Sequence, residues 1–229
     1  MRAGGFILSN FIKKQMKSTN TIAVIGGTGK SGTYLVKELL RRNYKVKLLV
    51  RNPEKKPQEN PNLQVVLGDV KDPKSIHQLL QGVEMLISNL GLGIPASPRT
   101  IFSETTASII QKVSDRKSFR YILLSGLQVD AKGDKKGQFA QYATEYMRKS
   151  FPISTQDKQE ECDLLDKSRL NWTIVRSSMI DLTSDEREYA VSTSDCKGQK
   201  ISASSLAQFM VDQLESEKFS KKAPFIWDK

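Results

Sequence analysis

From Thr21 onward, short apolar runs alternate with stretches at helical period. "TIAVIG" (21–26), "YKVKLLV" (44–50), "LQVVLGD" (63–69), "EMLISNL" (84–90), "FRYILLS" (119–125) and "NWTIVRS" (171–177) predict six strands, with "EYAVST" (188–193) and "APFIWD" (223–228) as later ones. Between them, 30–43 follows a 3.6-residue period with Leu35, Leu39 and Leu40 on one side, and 73–82 carries proline in its first turn and glycine past its end. Further helices are expected over 99–115, 139–150, 155–168 and 202–216, with a charged loop at 132–138. Strands separated by helices imply a parallel sheet covered on both faces, because right-handed crossovers put helices on each side. The expected fold is therefore α/β, a doubly wound parallel sheet with a small C-terminal substrate lobe in the same domain. Residues 21–229 read as one domain without internal repeats, preceded by a 1–20 extension.

Composition narrows the chemistry. At 229 residues and 38% hydrophobic content the chain can bury one sizeable core. No stretch approaches the roughly 20 apolar residues that span a bilayer, so membrane insertion is not expected. Cys162 and Cys196 fit neither a metal spacing nor a disulfide framework, and the single histidine, His77, excludes a His-based metal site or a Ser-His-Asp triad of ordinary form. A reducing compartment, the cytoplasm, is expected. The net charge is +11, of which Arg2, Lys13, Lys14 and Lys17 in the acid-free first twenty residues account for four. That segment reads as a disordered extension with Met16 as a natural beginning, although its basic character also resembles an organelle transit peptide. The remaining charge is spread without aromatic-and-basic interleaving, which favours a solvated surface with a taste for a polyanionic small molecule over nucleic acid.

The stretch "GGTGKSG" (26–32) has two readings. A P-loop needs Gly-x-x-x-x-Gly-Lys-Ser/Thr, but the position five before Gly29 is Val24, inside the first strand. The glycine spacing fits a dinucleotide turn instead: Gly26 for the tight turn, Gly29 for approach to a pyrophosphate, and Gly32 for packing of helix on strand. The helix that follows directs free N–H groups and its positive dipole end at an anion, with Thr28, Lys30 and Ser31 beside it. At the end of the second strand, where an NAD site usually has an acid, stands Arg51, followed by Lys55. A guanidinium forks onto a phosphate dianion that a carboxylate would repel, so NADPH/NADP is the expected cofactor. The alternative is a solvated arginine at a strand end. Asp69 and Val70 after the third strand are placed for the adenine, and "NLGLG" (89–93), with Asn89, Leu90 and Gly91, sets small backbone beside the middle of the cofactor.

With "GGTGKSG", "LLVRNPEK", "GDVKDP", "YILLSGL" and above all "KQEECDLLDKSRLNWTIVRSS", the chain from Thr21 to about Trp227 resembles the atypical short-chain dehydrogenase/reductases of the NmrA-like, NAD(P)-binding group. Its layout is most similar to the flavin reductase/biliverdin reductase B branch. The resemblance implies a Rossmann-like sheet, NADPH in the cleft and substrate over the nicotinamide. It also implies roles for Lys158 at the nicotinamide ribose and for Ser125 at a substrate oxygen, although Ser125 could simply cap a turn. The chain departs from the wider superfamily where a tyrosine delivers a proton four residues before the lysine, since Ser154 stands there. A serine hydroxyl is too weak an acid for that task. Met179 stands near the place of the branch's histidine after the sixth strand, as an apolar wall for a ring or a core residue. Tyr142, with Tyr146 one turn on, is a further candidate to roof the substrate or to pack in the core.

The expected activity is therefore NADPH-dependent hydride transfer to a planar conjugated acceptor such as a flavin or quinone. The alternative is a non-catalytic NADP(H)-binding sensor or assembly protein of the NmrA-like type. The substrate is a small molecule on the first reading; no metal partner is expected, and the sequence carries no signal for oligomeric state.

Overall fold

The computed structural model describes residues 21–92, 99–116 and 118–229. The 1–20 extension, Gly93 of "NLGLG", and Ser97 and Pro98 before the third helix lie outside the described residues. Among the described residues the main sheet has eight strands: β1 (Thr21–Ile25), β2 (Lys45–Val50), β3 (Leu63–Leu67), β4 (Met85–Ser88), β5 (Arg120–Gly126), β6 (Asn171–Ser177), β8 (Tyr189–Ser192) and β10 (Phe225–Asp228). Their order is β3-β2-β1-β4-β5-β6-β10-β8, and every neighbour pair is parallel except β10 with β8. This is the doubly wound order, and it reverses direction between β1 and β4. A crevice opens where connections leave that point in opposite directions, which locates the site before any side chain is considered.

The helices are α1 (Gly32–Arg41), α2 (Pro73–Leu80), α3 (Ile101–Lys112), α4 (Gln138–Ser150), α5 (Pro152–Lys167) and α6 (Ala203–Asp212). β1 shows why its sequence is a continuous apolar run. Ile22 and Val24 face one core with Leu35 and Leu39 of α1 and Leu206 of α6, while Ala23 and Ile25 face the other with Ile76, Leu79 and Ile109 of α2 and α3. Both faces are covered, so no polar alternation survives. α2 starts where Asp72 accepts the Lys74 and Ser75 amides, each at 3.1 Å, ahead of Pro73. On α1, Glu38 is buried because Arg41 and Arg42 both donate to it, and Arg42 reaches across to Asp212 of α6 at 2.6 Å.

Boundaries move by a few residues from the sequence expectation, and two elements are added. β7 (Met179–Asp181) and β9 (Lys200–Ser202) form a separate parallel pair beside the eight-stranded sheet, the small C-terminal addition. Each is three residues long with mixed polarity, so pairing with its distant partner, rather than local pattern, makes it a strand.

Candidate functional site

The first βα turn is built by steric exclusion. Gly26 has φ of +75°, and a Cβ there would fall 2.3 Å from the Asn89 carbonyl oxygen. Gly32 opens α1 so close to the turn that its Cβ would lie 2.1 Å from the Gly26 carbonyl oxygen. The Gly29 amide donates to that same carbonyl at 3.0 Å and closes the turn. Ser31 occupies the N-cap of α1 but makes no capping bond; its Oγ accepts from Asn89 Nδ2 at 2.9 Å. The turn is thereby tied to the end of β4, whose Asn89 amide also donates to Ile25 at 2.8 Å. No acidic residue lies in the first turn of α1, so the positive end of the helix is uncompensated.

These elements wall a cleft of about 900 Å³. Its first side is the turn: Gly26, Thr28, Gly29, Lys30 and Ser31. Its second is the end of β2, with Arg51 and Lys55, and the loop after β3, with Asp69 and Val70. Asn89, Leu90 and Gly91 after β4 close the third. The structure thus brings twelve of the sequence-singled residues to one cleft, while Gly32 supports the turn from beneath. Sequence reasoning passed over Asn52, Pro53, Gly68 and Ile101, which also line the cleft. Asn52 was legible as a cap: its side chain accepts the Glu54 amide at 3.0 Å and starts the single turn Pro53–Lys55 that aims Lys55. Asp69 Oδ1 accepts the Lys71 amide at 2.9 Å, which sets the carboxylate at the rim.

Ser125, Lys158, Tyr142 and Met179 are not among the residues lining this cleft. Ser125 ends β5 buried, and its Oγ has no hydrogen-bond partner among the described residues, so it caps no turn. Lys158 is half-buried beneath the same strand end, with Nζ 3.3 Å from the Leu124 carbonyl and 3.8 Å from the centre of the Phe102 ring. Ser154 donates to the Phe151 carbonyl at 3.3 Å and serves the start of α5. Tyr142 and Met179 are 71% and 63% exposed, and Tyr146 is exposed as well, which rules out the core-packing alternative for all three.

A feature the sequence did not disclose joins the last strands. Arg176 on β6 is wholly buried and forks onto Asp134 at 2.6 and 2.7 Å. It also donates to the Ala223 and Val129 carbonyls and lies 3.6 Å over the Phe225 ring. The loop after β5 is stapled to the sheet by this one guanidinium. Burial pushes the Cys162 thiol up to about 12 and the Cys196 thiol up to about 11, so neither is a reactive thiolate at neutral pH. Among the described residues there is no group of side chains suited to a metal ion and no helix long and apolar enough to cross a membrane.

The chain matches the NAD(P)H-binding family over residues 26–217. An uncharacterized chloroplastic protein of Arabidopsis thaliana is 26% identical over 166 residues, which cover 69% of this chain and 58% of that one. The chain thus matches little more than half the length of that relative. A short-chain dehydrogenase/reductase of Veillonella parvula, solved in complex with NADP, shares the fold with a TM-score of 0.74 at 18% identity, over 91% of this chain and 94% of that one. A candidate NADH-flavin reductase of Streptococcus pneumoniae has a TM-score of 0.74 at 20% identity, over 92% and 100%. At such identities the likeness is one of fold.

Proposed function

This chain belongs to the NAD(P)H-binding family, and from that premise we propose that it is an NADPH-dependent reductase of planar conjugated acceptors, of the short-chain dehydrogenase/reductase kind. The carrying observation is the cleft itself. A helix start without acids, a glycine-rich turn, and two cations at the end of β2 lie around one cleft, as an adenosine cofactor with a 2′-phosphate would require. The residues present fit that group: Gly26, Gly29 and Gly91 leave room for it along the cleft wall, and Lys30, Arg51 and Lys55 set cations against its phosphates. When bound, NADPH supplies the hydride. Gly26, Thr28, Gly29, Lys30 and Ser31 hold the pyrophosphate, Arg51 and Lys55 the 2′-phosphate, and Asp69 and Val70 the adenine side. Asn89, Leu90 and Gly91 border the middle of the cofactor.

The acceptor class follows from what is missing. Ser154, four residues before Lys158, is engaged with Phe151 and cannot replace a phenol as proton donor. An acceptor whose reduced form takes its proton from solvent, such as a flavin or quinone, needs only orientation from the protein. Met179 and Tyr142, both exposed, offer an apolar edge and a flat face for such a ring. On this reading the chain falls in the NmrA-like group near the flavin reductase/biliverdin reductase B branch, with residues 21–229 as one domain and the cytoplasm as its place. The purified protein should oxidise NADPH with at least one member of a flavin and quinone panel and with no simple aldehyde. Tight NADPH binding with no turnover on that panel would instead favour the second reading, a non-catalytic NADP(H) sensor. The inward packing of Lys158 favours that reading too, and the two inert thiols leave the nucleotide as its signal.

A further inference from the structure

Lys158 does not line the cleft but packs on residues next to its lining. Its ammonium contacts the carbonyl just before Ser125 and the ring of Phe102, and Phe102 follows Ile101 of the cleft lining. Glu161 Oε2 is 3.4 Å from Lys158 Nζ, and Glu161 is 2% exposed. The other oxygen of Glu161 accepts from Thr106 Oγ1 at 3.0 Å, which in turn lies 3.0 Å from the Tyr121 hydroxyl. One turn earlier on α5, Asp157 accepts the Phe102 and Ser103 amides at 2.8 and 3.0 Å and so fixes the start of α3. Two acids and one lysine of α5 therefore grip the α3 helix where it meets the cleft.

Stability alone is a weak reason to bury the Lys158–Glu161 pair. Removing two charges from water costs more than their attraction usually returns, and apolar replacements of such pairs are often neutral or stabilising. Burial raises the Glu161 carboxyl above its ordinary value of 4.5, with Lys158 acting in the opposite direction. A carboxylate whose proton affinity rises on folding costs stability as pH climbs past that ordinary value. Buried charges kept against such a cost gather at functional sites.

We propose that Glu161 is a positioning residue, which, anchored by Thr106, holds the Lys158 ammonium at the end of β5 for the nicotinamide half of the dinucleotide. This rests on the NADPH reading above. The test uses the full chain with Glu161→Gln, which keeps a partner for Thr106 and loses the charge. Calorimetric titration should show NADP⁺ affinity lowered about tenfold, while the affinity for 2′,5′-ADP, which lacks the nicotinamide half, stays unchanged. In a Lys158→Met background, Glu161→Gln should have no further effect, and the thermal midpoint of the single variant should hold or rise. Equal loss for both ligands would mean that Glu161 acts through the fold at large. Unchanged NADP⁺ affinity, or additive losses in the double variant, would likewise overturn the role. Wild-type protein that bound neither ligand would overturn the NADPH reading itself, and this role with it, before any variant was made.

Discussion

Asp134→Ala should cost about 3–5 kcal/mol of folding stability, the range for removing one partner of a buried ion pair. Its physical basis is the burial of Arg176, whose side chain has no exposed surface and whose two Nη groups both donate to the Asp134 carboxylate. The Ala223 and Val129 carbonyls satisfy donors but carry no net charge, so the variant leaves a cation in a low-dielectric site. Asp134 also accepts the Ala131 amide at 3.0 Å, so the loop after β5 loosens at the same time. Chemical denaturation should show a lower midpoint at constant slope. Replacing both partners, Arg176→Met with Asp134→Leu, should recover much of the loss, since the penalty lies in the orphaned charge. A loss under about 1 kcal/mol, the scale of an exposed pair, would show that water reaches Arg176 and that the staple is not a buried one.

Arg51→Glu should weaken NADPH binding by roughly 1–3 kcal/mol and leave NADH nearly untouched, the size expected for charge-assisted hydrogen bonds to one phosphate. Arg51 stands at the exposed end of β2, in the cleft wall that also holds Lys55, so on the NADPH reading the reversed charge would meet the 2′-phosphate and not the pyrophosphate proposed for the turn. Calorimetry with both nucleotides separates the cases. Equal losses would remove Arg51 from the phosphate site, and a switch in preference toward NADH would establish it there. Raising salt should narrow the difference between the nucleotides, because the contact is partly open to solvent.

The cleft was legible because its residues sit at strand ends, and strand ends can be counted from apolar runs. Gly26, Arg51 and Asn89 follow directly on β-rich runs and Asp69 one residue further on, and a parallel sheet brings all such ends to one edge. Asn52, Pro53, Gly68 and Ile101 went unmarked because turn chemistry and the packing of α3, not periodicity, bring them to the wall. Residue type alone favours water for the acids of α5. Asp157 and Glu161 are instead buried, because that face meets the α3 start and its free amides rather than water. Tyr142 and Tyr146 mislead in the opposite sense: their spacing suits a core stripe, yet both face solvent.

By itself the amino-acid order determined the α/β alternation, the glycine turn and the cationic end of β2, since backbone sterics, hydrophobic period and local charge act over a few neighbouring residues. Only the tertiary structure decided the pairing of Arg176 with Asp134, the β7–β9 ribbon, and the Lys158–Glu161 contact beneath β5. A charge in a sequence does not reveal its solvation. Whether it faces water or another charge depends on which distant segment packs over it, and in this chain that choice separates the residues of the cleft from those that hold it in place.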